Sequence, residues 1–196
     1  MFSRLVRWYL LPLILSVGVA YPVYSQTLKR KAGFNLNWKF YKGDPGVTAA
    51  TVGFNDAAWS IVTIPHSASY DSINYDAEKN MYQGTCWYRK SFVIPTSAKR
   101  VFIEFEGAMQ TADLWVNGDS IGRHINSGYT PFSYEISSHL VRGGNNVLAL
   151  RLNNVYSADI PPGRTGPDFL LFGGLSRSVW LRFKDSVYIP INGQQI

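Results

Sequence analysis

The chain has 196 residues, of which 46% are hydrophobic, 16% charged and 15% aromatic, with a formal net charge of +6. That aromatic share excludes a disordered polar chain, and a single cysteine excludes a disulfide framework or a multi-cysteine zinc module. The length suits one domain and falls below the ~250 residues typical of a (β/α)8 barrel, so that scaffold is excluded as the fold.

Met1–Ser25 reads as a secretory signal. Arg4 and Arg7 supply the positive start, Trp8 to Ala20 the uncharged and mostly apolar stretch, and Val23 and Ser25 a small-residue cleavage site before Gln26. The alternative is an uncleaved anchor, but a span needs about 20 apolar residues and Pro12 interrupts the run. The expectation is export to the periplasm or the extracellular space, with no stable membrane anchor and one folded domain over residues 26–196. Lys29–Arg30–Lys31 is the only basic cluster and reads as solvated tail, so nucleic acid is not an expected partner. Cys86, lacking a partner, is expected as a buried thiol.

Strand signals dominate the rest. One short helical turn is predicted at Asp56–Trp59, with Asp56 as its cap. Trp87–Tyr88–Arg89–Lys90 then opens a strand after a turn at Gly84. Val101, Ile103 and Phe105 alternate with Phe102, Glu104 and Glu106, whose charged face is expected in solvent. Ala112, Leu114 and Val116 alternate with Asp113, Trp115 and Asn117, and Asn117–Gly118–Asp119 supplies a tight turn. A single helical turn fits Ser137–Val141. Leu148, Leu150 and Leu152 face away from Ala149 and Arg151, and Val179, Leu181 and Phe183 repeat the pattern. With long loops at Pro65–Gly84 and Ser157–Gly174, the pattern predicts an all-β antiparallel sandwich of two sheets.

The segments "FNLNWKFYKGD", "FNDAAWSIVTIPHS", "YQGTCWYRKSFVIP", "VFIEFEGAMQTADLWVNGDSIGRHINSGYTPFSYEIS", "GGNNVLALRLNN" and "DFLLFGGLSRSVWL" follow one another in that order. Together they resemble the N-terminal sugar-binding domain of glycoside hydrolase family 2, over roughly residues 34–183. The last two resemble the β-galactosidase branch. The resemblance implies a jelly-roll, galactose-binding-like sandwich. In the family it is followed by an immunoglobulin-like domain and a catalytic (β/α)8 barrel carrying two glutamates of a retaining mechanism, ~5–5.5 Å apart. This chain has only Glu78, Glu104, Glu106 and Glu135, and Glu104 and Glu106 stand on one strand face about 7 Å apart. No catalytic residue, metal ligand or cofactor is therefore expected. His66, His124 and His139 lack metal-ligand spacing, and Ser67 and Ser69 lack the glycines of a nucleophile elbow.

By resemblance, Asp168 reaches toward a barrel's mouth and accepts hydrogen bonds from sugar hydroxyls; the plainer reading is a cap on the Pro167 turn. Gly173 and Gly174 aim that loop. Arg177 braces it or a domain interface, through a structural ion pair in preference to a substrate contact. Trp87 and Tyr88 are candidate stacking platforms for a pyranose, set against core packing for at least one of them, and Trp115 is a third candidate. The expected function is that of the sugar-binding part of an exported β-galactosidase-type hydrolase, a fragment inactive alone. Its partners would be a β-galactoside-like glycan and the catalytic barrel of a full-length relative. The alternative is a free-standing carbohydrate-binding or docking module.

Overall fold

The computed structural model describes residues 30–69, 82–125, 127–160 and 172–189. The expected signal over 1–25 and the candidate Asp168 lie outside the described residues.

The two-residue alternations become strands wherever both faces find cover. In chain order these are β1 (Lys31–Gly33), β2 (Trp38–Lys42), β3 (Ser60–Val62), β4 (His66–Ser67), β5 (Thr85–Val93) and β6 (Arg100–Phe105). They continue as β7 (Thr111–Val116), β8 (Asp119–His124), β9 (Phe132–Glu135), β10 (Asn145–Asn153), β11 (Gly174–Leu175) and β12 (Val179–Lys184). One sheet has the order β1-β12-β6-β9 and the other β3-β2-β5-β10-β7-β8, with β11 and β4 forming a separate ribbon. Every pairing among these twelve strands is antiparallel. The fold is thus the expected all-β jelly-roll sandwich. Among the described residues, helix is confined to 3-10 turns at Val47–Ala50 and Ser137–His139.

The core lies between the sheets. Tyr88, Leu114, Val116, Leu148, Leu150 and Leu152 meet Val101, Ile103, Phe105, Val179, Leu181 and Phe183 there. Each such side chain contributes about 1.5–3 kcal/mol on burial. Cys86 joins this core, and burial pushes its thiol up to about 12, far from a reactive thiolate at neutral pH. The β7–β8 hairpin turns on Asn117 (φ 55°) and Gly118 (φ 91°), the left-handed pair that a twisted two-residue turn demands.

The outer face of the six-stranded sheet is covered too. The chain between β2 and β3 folds back over it, so that Ala49, Ala50 and Trp59 pack on Trp87 and Ala149, with Phe54 and Trp115 alongside. Beneath this flap Arg89 is 2% exposed. Its Nε donates to Asp56 Oδ2 (2.9 Å) and its Nη1 to the carbonyls of Ala49 and Thr51.

Two expectations change here. The Asp56 carboxylate goes to Arg89, and Asn55 Oδ1 accepts the Ala57 N–H instead; residues 57–59 make a turn closed by Trp59 N–H on Asp56 O, and no helix. The charged face of β6 is not bare either. Glu104 is 8% exposed, held by the Nε and Nη2 of Arg182 on neighbouring β12 and approached by Lys31 from β1. A three-strand charge row desolvates what a single strand's alternation assigns to water.

Arg89→Ala leaves the Ala49 and Thr51 carbonyls and the Asp56 carboxylate without their shared donor. It is expected to lower unfolding free energy by about 3 kcal/mol in urea titrations. Arg89→Lys should recover only part, because an ammonium cannot serve three acceptors as a planar fork does.

Candidate functional site

The glycine pair singled out from sequence sits in the β4–β11 ribbon at one end of the sandwich. Gly174 pairs with Ser67 on one side, while its N–H and C=O exchange hydrogen bonds with Met109 on the other (3.3 and 2.9 Å). Its φ is 107°, and a Cβ there would stand 2.6 Å from His66 O and 2.9 Å from Ala68 N. Those are backbone atoms that cannot yield, so only glycine fits. The Gly173 carbonyl accepts the Ala68 N–H (2.8 Å), and the residue presses on Asn154, whose Nδ2 would lie 2.5 Å from an added Cβ.

Asn154 is buried and ties this corner together. Its Oδ1 accepts the Gly84 N–H (2.8 Å) and its Nδ2 donates to Tyr82 O (2.7 Å). Ser69 Oγ donates to the same Tyr82 carbonyl (3.2 Å). Gly173 and Gly174 are therefore fixed by backbone pairing, with a buried amide packed against Gly173.

Tyr88 comes to the same place from below. Its hydroxyl lies 2.8 Å from His66 Nδ1, with the two rings edge to face. Burial holds the Tyr88 hydroxyl well above its ordinary range, reinforced by Cys86 and opposed by a backbone hydrogen bond from Leu175. Burial, and then Lys42, lowers His66 below its ordinary value. A neutral His66 accepting the Tyr88 O–H is the arrangement both shifts favour.

Neither Trp87 nor Tyr88 offers a stacking face to a sugar, since both are 0% exposed. Tyr88 belongs to the main core. Trp87 points the other way, is stacked on Trp115 at 5.3 Å, and donates its Nε1–H to Asp44 (2.9 Å). Trp115 is half-buried by that stack and by the Arg151 guanidinium 5.8 Å from its ring centre. Arg177 is exposed, its stem lying along Gly107, and forms no ion pair among the described residues. The structural ion pair expected for it is therefore not found there.

A second feature went unnoticed in the sequence. On the outer face of the six-stranded sheet, Asp44, Thr85, Thr111, Asp113, Arg123, Arg151 and Asn153 line a polar trough of about 230 Å³. Asp113 is its electrostatic centre, taking Arg151 Nη2 at 2.8 Å and Arg123 Nε at 3.2 Å. The outward phases of β5, β7 and β10 do carry polar residues, a signal visible once these three strands are known to be neighbours.

The described glutamates are all engaged. Glu104 is held by Arg182, Glu106 Oε1 accepts the Trp180 indole N–H (2.8 Å), and Glu135 is clasped by Arg100 (2.9 and 3.1 Å). Among the described residues no three His, Cys, Asp or Glu side chains group to hold a metal, and no helix is long and apolar enough to cross a membrane.

Comparison with known proteins bears on this arrangement. The family described as "Glycosyl hydrolases family 2, sugar binding domain" matches residues 53–184. A β-glucuronidase of Formosa agariphila is 38% identical over 67% of this chain, which corresponds to 14% of that protein. A β-galactosidase of Thermoanaerobacter pseudethanolicus is 33% identical over 80% of the chain and 21% of its own length. Among solved structures, a Bacteroides uniformis β-glucuronidase superposes with a TM-score of 0.67 at 34% identity, covering 77% of this chain and 17% of that one. The chain thus spans about a seventh to a fifth of the length of these relatives.

Gly174→Ala should cost about 2–3 kcal/mol and loosen the ribbon, read as faster amide exchange at Ser67 and Leu175. His66 gives a pH signature. Its folded pKa is depressed, so its stabilising share is full above the unfolded value of about 6.5 and is lost as pH falls through the lower folded value. Unfolding free energy should therefore drop on acidification below about pH 6.5, and His66→Asn should remove that component of the slope.

Proposed function

Because this chain belongs to glycosyl hydrolase family 2 as its sugar binding domain, we propose that it forms the glycone-facing sandwich of an exported retaining β-glycosidase. The catalytic glutamate pair would come from a barrel domain. One observation carries the reading: the family match runs from β3 to β12, while Glu104, Glu106 and Glu135 are each held by a hydrogen-bonded or charged partner. A retaining mechanism needs one carboxyl to give and take a proton and another free to attack carbon. Carboxylates clamped by guanidinium groups and an indole do neither.

In this reading Asp168 supplies the polar contact to the sugar. An ionised carboxylate accepts charge-assisted hydrogen bonds from vicinal hydroxyls, and the anchored Gly173–Gly174 pair fixes the downstream end of its loop. The substrate class is a β-galactoside. A second reading, a β-glucuronide, draws support from the 38% identical relative that carries that activity in its name. The two differ at C6, hydroxymethyl against carboxylate, and in the configuration of the C4 hydroxyl.

Purified residues 26–196 are expected to leave nitrophenyl β-galactoside and nitrophenyl β-glucuronide unhydrolysed; turnover surviving rigorous purification overturns the proposal. In a full-length relative, replacing the aspartate that aligns with Asp168 by alanine should lower kcat/KM about 10- to 150-fold, the loss of a hydrogen bond to a charged group. Unchanged kinetics would remove Asp168 from the site. Fractionation of cells expressing the chain tests export, with cleavage before Gln26 the expected result.

A further inference from the structure

We propose that the trough on the outer face of the six-stranded sheet is a binding site for one neutral pyranose ring, built by three adjacent strands. The site follows from register. Asn153 on β10 stands directly between Thr85 on β5 and Thr111 on β7, and one step along, Arg151 stands between Trp87 and Asp113. Arg123 lies opposite Asp113 on β8. Two strand spacings of about 4.8 Å set Thr85 and Thr111 some 9–10 Å apart across the floor. Rigid strands hold these groups, so little ordering is needed on binding.

The exposed and half-buried polar side chains of the trough keep hydrogen-bonding capacity that no protein group takes up. The hydroxyls of Thr85 and Thr111 make no hydrogen bond among the described residues, and Asn153 uses only its Oδ1, which accepts the Val155 N–H at 2.8 Å. Its NH2 is free to donate. Asp44 uses one oxygen alone: Oδ1 accepts both Trp87 Nε1–H and Gly46 N–H (2.9 and 3.0 Å), leaving Oδ2 open. Donors and acceptors that alternate over a few ångströms match the vicinal hydroxyls of a sugar, each of which both gives and takes a hydrogen bond.

Charge selects the ligand further. Asp44 and Asp113 balance Arg123 and Arg151, and both guanidinium groups turn part of their donors to Asp113. A uronate carboxylate would add an unbalanced charge to this set and would face Asp44, so the neutral ring is preferred. About 230 Å³ is below the ~300 Å³ at which pockets begin to take drug-sized ligands, which sets the limit at one ring. Trp87, buried beneath, orients Asp44 and stacks on nothing but protein. The inference does not rest on the proposed glycosidase role, because it needs no catalytic domain.

The test is a titration of the full chain with methyl β-D-galactopyranoside and, separately, methyl β-D-glucuronide, followed by 15N–1H correlation spectra. Saturable shifts are expected at the Trp87 indole N–H, the Asn153 side-chain NH2 and the amide of Thr111 for the neutral glycoside, in the millimolar range. Thr111→Val should weaken binding about tenfold with an unchanged unfolding midpoint, since it removes a hydroxyl that no protein group uses. Shifts confined to Gly173, Gly174 and their neighbours overturn the trough while supporting the proposed function. Trough shifts with the glucuronide alone overturn the charge argument, and no shift in the trough with either glycoside overturns the site.

Discussion

Strand β10 is hydrogen-bonded along both edges, to β5 from Asn145 to Asn153 and to β7 from Leu148 to Asn153. Its alternation therefore has to satisfy two packing environments at once. Leu148, Leu150 and Leu152 fill the space between the sheets, and Ala149 is small enough to let the Trp87–Trp115 stack close over it. A larger residue at 149 would lift that stack and the flap above it. A one-residue slip in register would exchange the faces and drive Arg151 into an apolar core.

The buried charges follow from that same covering of both faces. Arg89 lies on the outward phase of β5, where an uncovered sheet would leave it in water. The flap instead removes it from solvent and offers two carbonyls and a carboxylate in return. Glu104 has the parallel history on the other sheet, with Arg182 diagonal to it on β12 and Lys31 over the Trp180 ring at 3.9 Å. These groups hold parts of the fold together and are thereby withdrawn from chemistry. In a sandwich whose charges are spent on its own layers, sugar recognition is left to loop ends and to polar side chains with spare hydrogen-bonding capacity.

Much of this was readable from the residues alone. The inward phases of β6, β7, β10 and β12 were assigned correctly, as were the Asn117–Gly118 turn and the buried Cys86, because each depends on spacing within one strand or turn. The failed expectations at Asp56 and Glu104, and the core packing of Trp87 over its reading as a sugar platform, share one cause. Alternation says which side of a strand a residue occupies, but not what another part of the chain lays over that side. The cover at Trp87 comes from residues 44–59, more than a strand away in sequence, and the cover at Glu104 from β1 and β12. Gly173 and Gly174 were recognised as special through the motif; the reason for Gly174, two backbone atoms within 3 Å of a Cβ, is purely tertiary. Asp168 lies outside the described residues, so its assignment stands on resemblance.

The end of β10 joins the trough to the β4–β11 ribbon. Asn153 and Asn154 are adjacent and point to opposite faces: one borders the trough, the other is buried under Gly173 and carries the Gly84 turn. Both positions call for an amide, for different reasons. Asn153 needs an oxygen for Val155 and a donor facing outward, and Asn154 needs an acceptor for Gly84 and a donor for Tyr82. An aspartate at either place would keep the acceptor and lose the donor. Since strand geometry fixes where consecutive side chains point, the pairing of β10 with β5 places the support of Gly173 and the floor of the trough together. A substitution that shifts this strand end is therefore felt on both faces.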